Sequence, residues 1–523
     1  MGFRRRPAWS RPVLWLAVLG MTVPTAYAGQ AAHAAVQTTL YAAPTGSGTA
    51  CSSSSPCSLT GARGVVESMD GSTTGDIVVY LMGGTYRLSS TFQLGPQDSG
   101  SNGHTVYWEA SPGQDPVIDG SQQVAGWSQY NAGLNIWRAP VAAGTQARDL
   151  WVNGVRATET KSALNPGGFS QSGSSFTTGS NAYLSWSDPT EVEIVDNNPW
   201  RQLHCPLSSI TPSGGGSSLN VNQACYNATL SNVGFPFNGS GYPTLNHITW
   251  IENSYALLNQ PGQWFLDSSG GYLYYIPLPG QNMSTVDAEL PVVQDLVDVQ
   301  GSPGHLTPVN DTASGISYSG SGWGYSAGRG NGDFQNDVHS TNDNGDSVSY
   351  SFTGSGITVL SEQNSDEGDI GVYIDGSLYK TVNASTSGQR VAQDAIATIT
   401  GLAQGNHTIK LVKQSGTWML LDGFVVIPTA IQPVHDITFS GITFQYNTWL
   451  NELSQGYPEN QTGIMWSESN PWYQVKDPGM INIERGSNVT FTDDVIAHTG
   501  DTGVDVGDGT QNSTLSDSRI LDT

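Results

Sequence analysis

The sequence predicts an all-β protein: a right-handed parallel β-helix solenoid, interrupted by two antiparallel β insertions, with a short N-terminal capping helix. One pattern recurs late in the chain, in "HDITFSGITF", "SNVTFTDDVIAHT" and "QNSTLSDSRILDT". Two copies, at Asn488 and Asn512, lie 24 residues apart, a period typical of a solenoid in which each repeat buries its apolar face against its neighbours. This alignment stacks Asp493 on Asp517 and ends inside the third copy. We expect β-helix coils over 432–523, truncated at the C-terminus.

The first 28 residues have the features of a secretory signal. Four arginines precede an apolar run, and the A-x-A pattern "AYA" follows at 26–28. The apolar run is too short to span a bilayer. The sequence therefore predicts a secreted, extracellular protein with no membrane span, and a second A-x-A pattern at 32–34 leaves the cleavage point open.

The chain is strongly acidic, with 19 Lys and Arg against 44 Asp and Glu and a net charge of -25. A nucleic-acid partner is excluded, because phosphate binding needs a concentrated basic surface. Polyanionic glycans are also repelled unless a cation intervenes. Acidity also keeps a secreted protein soluble, so it does not select a partner by itself. We expect a monomer that binds polysaccharide or oligosaccharide.

The four cysteines form two pairs that are close in sequence, Cys51 with Cys57 and Cys205 with Cys225. In an exported protein such pairs predict local disulfides. Three connectivities are possible, and proximity in sequence favours this one. The region around them has no zinc-type spacing, and His204 is the one histidine beside either pair, which argues against a metal site.

Residues 37–126 are expected to contain the N-terminal cap and the first coils. Ser58 precedes apolar residues at helical spacing, which predicts a short helix that it caps. The helical positions are Leu59, Ala62, Val65, Val66 and Met69. Such a helix would cover the open end of a β-helix, where strand edges and apolar side chains are otherwise exposed.

Two segments break the solenoid pattern. Residues 127–288 alternate apolar and polar positions, which predicts an inserted antiparallel sandwich or barrel. Residues 289–302 return to extended, β-branched sequence and are assigned to a β-helix strand. Residues 303–428 then form a second all-β module, with the dipeptide Asp375-Gly376 as a hairpin signal.

Three stretches resemble a family of secreted bacterial β-helix glycoside hydrolases that includes α-L-fucosidases and xylanases. They are "NIWRAPVAAGTQARDLWVNGVRAT", "NQPGQWFLDSSGGYLYYIPLPGQNM" and "VHDITFSGITF". The resemblance covers 37–301 and 432–523. It implies a pectin-lyase-like solenoid, an inserted β-sandwich and paired acidic residues on the solenoid cleft. The module at 303–428 departs from the usual path of the family and resembles a carbohydrate-binding β-sandwich.

Cleaving a glycosidic bond requires one carboxylic acid and a second carboxylate that attacks or activates water. In "TGVDVGDGT" the alternation points Val504 and Val506 inward and Asp505 outward, which makes Asp505 the leading catalytic candidate. The other candidates are Asp508, Asp501, His498 and Asp493, with Asp494, Glu484 and Glu452 as alternatives. Asp is also a favoured turn residue, so each is open to a purely structural interpretation. The partner of Asp505 is open as well, and one place for it is beyond 523.

Aromatic residues mark two expected sugar-binding surfaces. A long segment at 445–478 contributes Trp449, Tyr457, Trp466, Trp472 and Tyr473. The 303–428 module contributes Trp323, Tyr325, Asp337 and Trp418. The alternative is that these rings pack the chain together, and Trp418 in particular precedes the apolar run "MLLDGFVVI". Asp422 is interpreted as a structural carboxylate or a calcium ligand.

These observations predict a secreted glycoside hydrolase that acts on plant or microbial polysaccharide or oligosaccharide by two-carboxylate chemistry. No cofactor is required, and calcium is possible. One alternative is a polysaccharide lyase whose calcium is held by acidic residues of the last coils. Those residues are Asp493, Asp494, Asp501 and Asp505. The other alternative is a carbohydrate-binding surface protein without catalysis.

Overall fold

The computed structural model describes most of the chain after the N-terminal segment. The described residues are 33, 35–69, 71–198, 201–230, 245–303, 306, 308–329, 331–388, 390–450, 459–460, 464–466, 474–476 and 479–523, with the backbone alone described at 201, 228, 230, 459–460, 464–466 and 474–476. The expected signal lies outside them. Within the described part of the chain, no helix is both long and apolar enough to cross a bilayer.

Three sheets consist of parallel strands. Sheet I contains, in spatial order, Val36–Ala42, Asp76–Leu81, Val106–Ala110, Val434–Ser440, Gly486–Thr492 and Thr514–Ser516. Sheet II contains Gly84–Arg87, Pro116–Asp119, Thr443–Gln445, Val495–Ala497 and Arg519–Leu521. Sheet III contains Phe92–Leu94, Val297–Gln300, Gly479–Glu484 and Thr502–Val506.

The chain visits the three sheets in a repeating order. In its last part it runs from sheet I at Gly486–Thr492 to sheet II at Val495–Ala497, then to sheet III at Thr502–Val506 and back to sheet I. The repeat predicted from the sequence has the expected register, because Phe491 pairs with Leu515 and Ile496 with Ile520. Strands with one sequence period therefore stack in register, as in a repeat protein.

A row of aromatic rings runs through the core that the parallel sheets share. Trp108, Phe439 and Phe491 occupy matching positions on neighbouring strands of sheet I. Phe439 stacks on Phe491 with ring centroids 4.6 Å apart and on Trp108 at 6.5 Å. All three are at most 1% exposed. The row joins the first coils to coils that follow more than three hundred residues later.

The predicted N-terminal helix is confirmed as α1, Leu59–Glu67. Ser58 is its N-cap, and the Ser58 side chain accepts a hydrogen bond from the backbone N–H of Gly61. Leu59, Ala62 and Val66 are buried in the same core as the parallel strands. The helix therefore packs against the first coil.

The remaining sheets of the described residues are antiparallel, apart from one parallel pair. Between Ser121 and Pro291 they comprise Val155–Arg156, Trp151–Val152, Ala288–Pro291 and Ser121–Gln123; then Thr158–Glu159, Gln263–Asp267, Tyr272–Tyr275, Ile136–Pro140 and Ser128–Asn131; then Phe169–Ser172, Ser175–Thr178, Gly216–Val221, Arg201–Ser213, Glu193–Asn198 and Trp250–Glu252, with Glu459–Asn460 on Arg201–Ser213. The helix α2, Gln223–Leu230, and 3₁₀ turns at Ala182–Ser185, Pro189–Glu191 and Tyr255–Leu257 complete this region. Its first sheet extends a few residues beyond the predicted bounds of 127–288 at both ends.

The second antiparallel region has a core of its own, formed by residues between Val348 and Phe424. Its sheets are Val309–Asn310, Gly423–Ile427, Gly356–Gln363 and Val391–Ile399; Ile316–Ser319, Ser347–Gly354, Gly405–Lys413, Asp369–Ile374 and Ser377–Asn383; and Gly324–Ala327, Asp337–Thr341 and Met419–Leu421. The predicted turn is confirmed, since Asp375 and Gly376 both have positive φ between paired strands. Other elements are 3₁₀ turns at Pro96–Asp98 and Phe334–Asn336 and the hairpin Ile464–Trp466 with Gln474–Lys476.

All three long excursions of the chain begin or end at sheet III. The first antiparallel region lies between the sheet II strand Pro116–Asp119 and the sheet III strand Val297–Gln300. Residues 446–478 make the same sheet II to sheet III connection one coil later. The 303–428 module makes the connection from sheet III to sheet I. Sheet III thus has inserted chain at both ends of its strands, which is where a cleft would form.

Both predicted disulfides are confirmed, Cys51–Cys57 and Cys205–Cys225. The second closes the longer loop, with a sequence separation of 20 against 6. Chain-entropy arguments assign the long loop about 3 kcal/mol and the short one about 2 kcal/mol. We expect Cys205→Ala/Cys225→Ala to lower the stability of the first antiparallel region more than Cys51→Ala/Cys57→Ala lowers that of the coils. Thermal unfolding of both double variants measures this, and a larger loss in the Cys51/Cys57 variant would contradict it.

Candidate functional site

A row of polar side chains crosses the outward face of sheet III. Asp298, Asn482 and Asp505 are register partners on three adjacent strands, and Gln93 continues the row on the fourth. The strands place these groups outward because the residues on either side of Asp298, Val297 and Val299, are fully buried. The sequence prediction that Asp505 points out of the sheet is consistent with this register.

A second row lies two residues further along the same strands. Gln300 pairs with Glu484, and its amide donates a 2.9 Å hydrogen bond to the Glu484 carboxylate. Arg485 Nη1 lies 3.7 Å from the same carboxylate. Glu484 is therefore bound by the neighbouring side chains Gln300 and Arg485. Asp298 belongs to the first row, next to it.

The protonation of Asp298 is shifted by its surroundings. Burial, followed by the negative charges of Asp295 and Glu484, raises the pKa of Asp298 to about 6. Burial also raises the pKa of Asp295, and a hydrogen bond with Asn482 opposes that rise. A carboxyl group with a pKa near 6 is a fitting general acid at mildly acidic pH.

The register fixes how far apart the two outer carboxylates of the row are. Asp298 and Asp505 are separated by the strand that contains Asn482. Adjacent strands lie about 4.8 Å apart, so the two backbone positions are roughly 9–10 Å from each other. This spacing leaves room for a water molecule between one carboxylate and the sugar that the other protonates.

The predicted catalytic residues other than Asp505 lie elsewhere in the coil. Asp508 is exposed, follows the sheet III strand, and its carbonyl accepts the backbone N–H of Arg485 at 2.7 Å. Asp501 precedes that strand, and its carbonyl accepts the Thr499 hydroxyl at 2.6 Å. Asp493 is exposed in the turn between sheets I and II, with φ 58°. Asp501 and Asp508 thus flank the strand that contains Asp505, and the turn interpretation fits Asp493 best.

His498 belongs to a packed joint between the coils and the first antiparallel region. Its ring stacks on Tyr446 with centroids 4.9 Å apart, and its Nδ1 lies 2.8 Å from Asp522 Oδ2. Trp151 Nε1 donates to the same carboxylate oxygen at 2.9 Å, and the Arg156 guanidinium lies over the Trp151 ring at 4.5 Å. These contacts fix the His498 ring between Tyr446, Trp151 and Asp522.

Asp494, an alternative candidate, is a structural carboxylate. It is 1% exposed, and its Oδ1 accepts the backbone N–H of Ile442 at 2.8 Å. Burial raises its pKa to about 8. This side chain ties adjacent coils together at the turn and does not face sheet III.

Trp449 does not form an open sugar platform as predicted. Its side chain is only 7% exposed, because the backbone around it is fixed to the chain beside sheet III. The N–H of Thr448 donates to Val293 O at 3.0 Å, and that of Leu450 donates to Gln294 Oε1 at 2.9 Å. The packing alternative holds for this ring. Tyr457, Trp472, Tyr473, Glu452 and the side chain of Trp466 lie outside the described residues.

The four predicted sugar-binding residues of the 303–428 module separate into two groups. Tyr325 is 54% exposed and donates its hydroxyl to Asp337 Oδ2 at 2.9 Å, while Asp337 itself is 6% exposed. Trp323 packs on Tyr318 with ring centroids 4.7 Å apart. Asp337 is thus buried beneath Tyr325, whereas Trp323 is half-buried against Tyr318. Trp418 is 37% exposed, so the alternative that it is a core residue is wrong.

The sequence analysis missed Asp298. The signal was present, because "VDVQG" has the same alternation of buried and outward positions that singled out Asp505. The missing information was the pairing of this strand with Gly479–Glu484, which lies about 180 residues later in the chain. Alignment at the 24-residue period does not reach across such an insertion.

The first antiparallel region contains a buried cluster of residue types that can bind a metal ion. Glu193, His204 and Glu252 each offer a ligand atom within 4.8 Å of the others. Arg148, however, forms a bidentate ion pair with Glu193 at 2.9 and 3.2 Å, and His204 Nδ1 lies 3.1 Å from Glu252. Burial opposes the ionisation of Glu193, but the charges and hydrogen bonds of Arg148 and His204 together outweigh it and lower the pKa of Glu193 to about 2. Each of the three residues thus already contacts a protein partner, and we interpret the cluster as a structural ion-pair network.

Comparison with solved structures supports the fold. A glycoside hydrolase matches 91% of this chain at 14% identity with a TM-score of 0.53, and this chain spans 65% of that enzyme's length. A structure of XylC with xylose matches 89% of this chain at 8% identity and a TM-score of 0.29, covering 41% of XylC. A carbohydrate-binding module, CBM36 in complex with calcium and xylotriose, matches 23% of this chain and 97% of its own length at 23% identity and a TM-score of 0.17.

The first of these three similarities indicates a shared fold, and the other two are too weak to add to it. No protein-family profile and no curated protein matches the chain by sequence. The chain is therefore a mostly-β protein with a fold similar to that of a glycoside hydrolase. Its chemistry has to be argued from its own residues.

Proposed function

We propose that this protein is a secreted glycoside hydrolase that cleaves a plant or microbial polysaccharide or oligosaccharide. The observation that carries the proposal is the row of Asp298, Asn482 and Asp505 on the outward face of sheet III. Inserted chain precedes and follows strands of this sheet in the sequence, and we propose that it borders the substrate-binding face. Sugar rings that cross the strands would meet both carboxylates.

In the proposed mechanism, Asp298 donates a proton to the glycosidic oxygen as the leaving group departs. Its pKa of about 6 keeps a substantial fraction protonated in mildly acidic medium. Asp505, in ionised form, removes a proton from a water molecule that attacks the anomeric carbon from the opposite face. Glu484 is less suited to either role, because Gln300 and Arg485 already bind it. Asn482 lies between the two acids, and its amide is bound to Gly479, accepting the Gly479 N–H at 2.7 Å and donating to the Gly479 carbonyl at 2.9 Å.

The separation of the two acids predicts the stereochemistry. The backbone positions of the two acids are roughly 9–10 Å apart with one strand between them, and we propose that their carboxyl groups have the wider spacing of inverting enzymes. We expect the first product formed to have the inverted anomeric configuration. Proton NMR of the product within the first minutes of reaction measures this, before mutarotation mixes the anomers. A retained configuration would contradict the assignment of Asp298 and Asp505 as the catalytic pair. It would instead favour a pair formed by Glu484 and a neighbouring carboxylate.

We further propose that the three parallel sheets wind as a right-handed β-helix, consistent with the repeating order of the strands and with the similar glycoside hydrolase fold. The domains are then those expected from the sequence, with the first insertion widened slightly to include Ser121–Gln123 and Ala288–Pro291. Export of the chain agrees with its two disulfides.

The decisive experiment is an assay of the protein on a panel of neutral glycans and aryl glycosides. Released reducing sugar is measured together with the absorbance of unsaturated uronate, with and without a chelator. Hydrolysis gives reducing ends without the unsaturated chromophore. A chelator-sensitive, unsaturated product would instead establish lyase chemistry, which the comparisons do not support.

A second candidate function is carbohydrate binding without catalysis. The observation that favours it is the 303–428 module, which has its own core and an exposed Trp418. Aromatic faces of this kind stack on sugar rings. Retention of the protein on an insoluble glycan, lost on Trp418→Ala and accompanied by no product from any substrate, would establish this function in place of hydrolysis.

A further inference from the structure

Three acidic side chains meet at one end of the 303–428 module, far in sequence from the sheet III carboxylates. Glu362 lies near the end of the strand Gly356–Gln363, and Asp366 and Glu367 lie in the loop that leads to the next strand. Each offers one carboxylate oxygen within 4.8 Å of the others. Glu362 and Glu367 are 4% and 3% exposed, whereas Asp366 is exposed.

Glu367 is the feature that requires an explanation. Both of its carboxylate oxygens are buried, and neither has a hydrogen-bond partner among the described residues. A buried carboxylate without a partner is costly, because ionised groups lose their hydration. Burial, followed by the charges of Glu362 and Asp366, raises the pKa of Glu367 to about 8.

The basic side chains of this region donate to Glu362 or to groups outside the cluster, and none is bound to Glu367 among the described residues. Arg390 Nε donates to Glu362 Oε2 at 2.7 Å, and Arg329 Nη2 donates to the same oxygen at 3.1 Å. Lys413 Nζ is bound to Asn344 Oδ1 at 2.6 Å and to the carbonyl of Gly416 at 2.7 Å. The two arginines therefore pair with Glu362, whereas Glu367 has no hydrogen-bond partner among the described residues.

We propose that Glu362, Asp366 and Glu367 bind a divalent cation, and that calcium is the best match. All three ligands are carboxylates, which suits a hard cation and disfavours zinc, whose sites are built from His and Cys. Calcium accepts six to eight oxygens in flexible geometry, and water would complete the set on the exposed side of Asp366. Magnesium is a poorer match, because it demands near-octahedral geometry and holds its own waters.

The cation would also fix the loop that contains Trp418. The carbonyl of Asp366 accepts the backbone N–H groups of Thr417 and Trp418 at 2.8 and 3.1 Å, and Glu367 forms a β-bridge with Trp418. A metal bound to the side chains of Asp366 and Glu367 would thus order the backbone that supports this exposed ring. Calcium is expected to stabilise the module and to reduce the mobility of Trp418.

The test uses the full chain after removal of metal with EDTA. Calcium chloride is titrated by isothermal calorimetry at pH 7.5, and thermal unfolding is followed with calcium or EDTA. We compare the wild type with Glu367→Gln and with Asp366→Asn at the exposed ligand, and use Asp394→Asn, opposite Ser361 on the neighbouring strand, as the control. We expect Glu367→Gln to lose one calcium per chain and the associated rise in Tm. Asp366→Asn should weaken that site at least about tenfold, and Asp394→Asn should match the wild type.

The proposal is overturned if Glu367→Gln binds as many calcium ions as the wild type with unchanged affinity. It is equally overturned if the variant is more stable than the wild type in calcium, because Glu367 would then be a buried neutral acid. These results are independent of the hydrolase proposal, since the binding measurement involves no substrate.

Discussion

Asp298→Asn is expected to reduce kcat/KM on oligosaccharides by about 10²–10⁴-fold, the usual contribution of a general acid. Asparagine keeps the size of the side chain but cannot supply the proton. The loss should be much smaller on aryl glycosides with an acidic phenol, because such a leaving group departs without protonation. Steady-state rates on the two substrate classes measure the difference. An equal loss on both would contradict the acid role.

The pH profile gives the same residue a second signature. The pKa of Asp298 is raised to about 6, and the acid must be protonated to act, so activity should decline as the pH rises through about 6. In Asp298→Asn this alkaline decline should disappear. Asp505→Asn, in contrast, should lose activity on both substrate classes, because water attack is needed for each. Asp508→Asn, exposed on the same coil, is the matched control and should stay within about twofold of the wild type.

Phe439→Ala is expected to destabilise the coils by about 3–5 kcal/mol, the usual cost of truncating a buried phenylalanine. Phe439 is fully buried and stacks between Trp108 and Phe491, so the cavity would open in the middle of the aromatic row. Its loss removes contacts to coils on both sides at once. Denaturant unfolding, monitored by tryptophan fluorescence, measures the change.

The matched control for this prediction is Phe424→Ala in the 303–428 module. Phe424 is also fully buried and stacks on Tyr350 at 5.3 Å. Because the two cores are separate, each variant should lower the unfolding transition of its own region and leave the other in place. A shift below about 1 kcal/mol for Phe439→Ala, or one common transition that both variants lower equally, would contradict this picture.

Local patterns in the sequence were sufficient for much of the fold. The spacing behind Ser58 gave helix α1, the Asp375-Gly376 turn gave its hairpin, and the proximity of the cysteines gave both disulfides. The 24-residue repeat gave the register of the last coils. Each of these depends on residues that lie near one another in the chain.

The candidate site depends on pairings that the sequence does not display. Asp505 was found because its neighbours alternate, but Asp298 joins it only through a strand on the other side of the 303–428 module. Burial was also misjudged: Trp449 was expected to be open and is packed, and Val506 was expected to be inward and is 54% exposed. Val506 belongs to the last strand in the order of sheet III, at the edge of that sheet.

The aromatic row has a consequence for how this chain reaches its native state. Trp108 pairs with Phe439. The strand that contains Trp108 therefore gains this neighbour only after both insertions have emerged from the exporting machinery. Contacts of such long range are slow to form, whereas each insertion closes its own core from nearer residues. We expect the insertions to fold first and the early strands to wait with an open edge. During that interval the edge at Val106–Ala110 is the part of the molecule most prone to join a second chain.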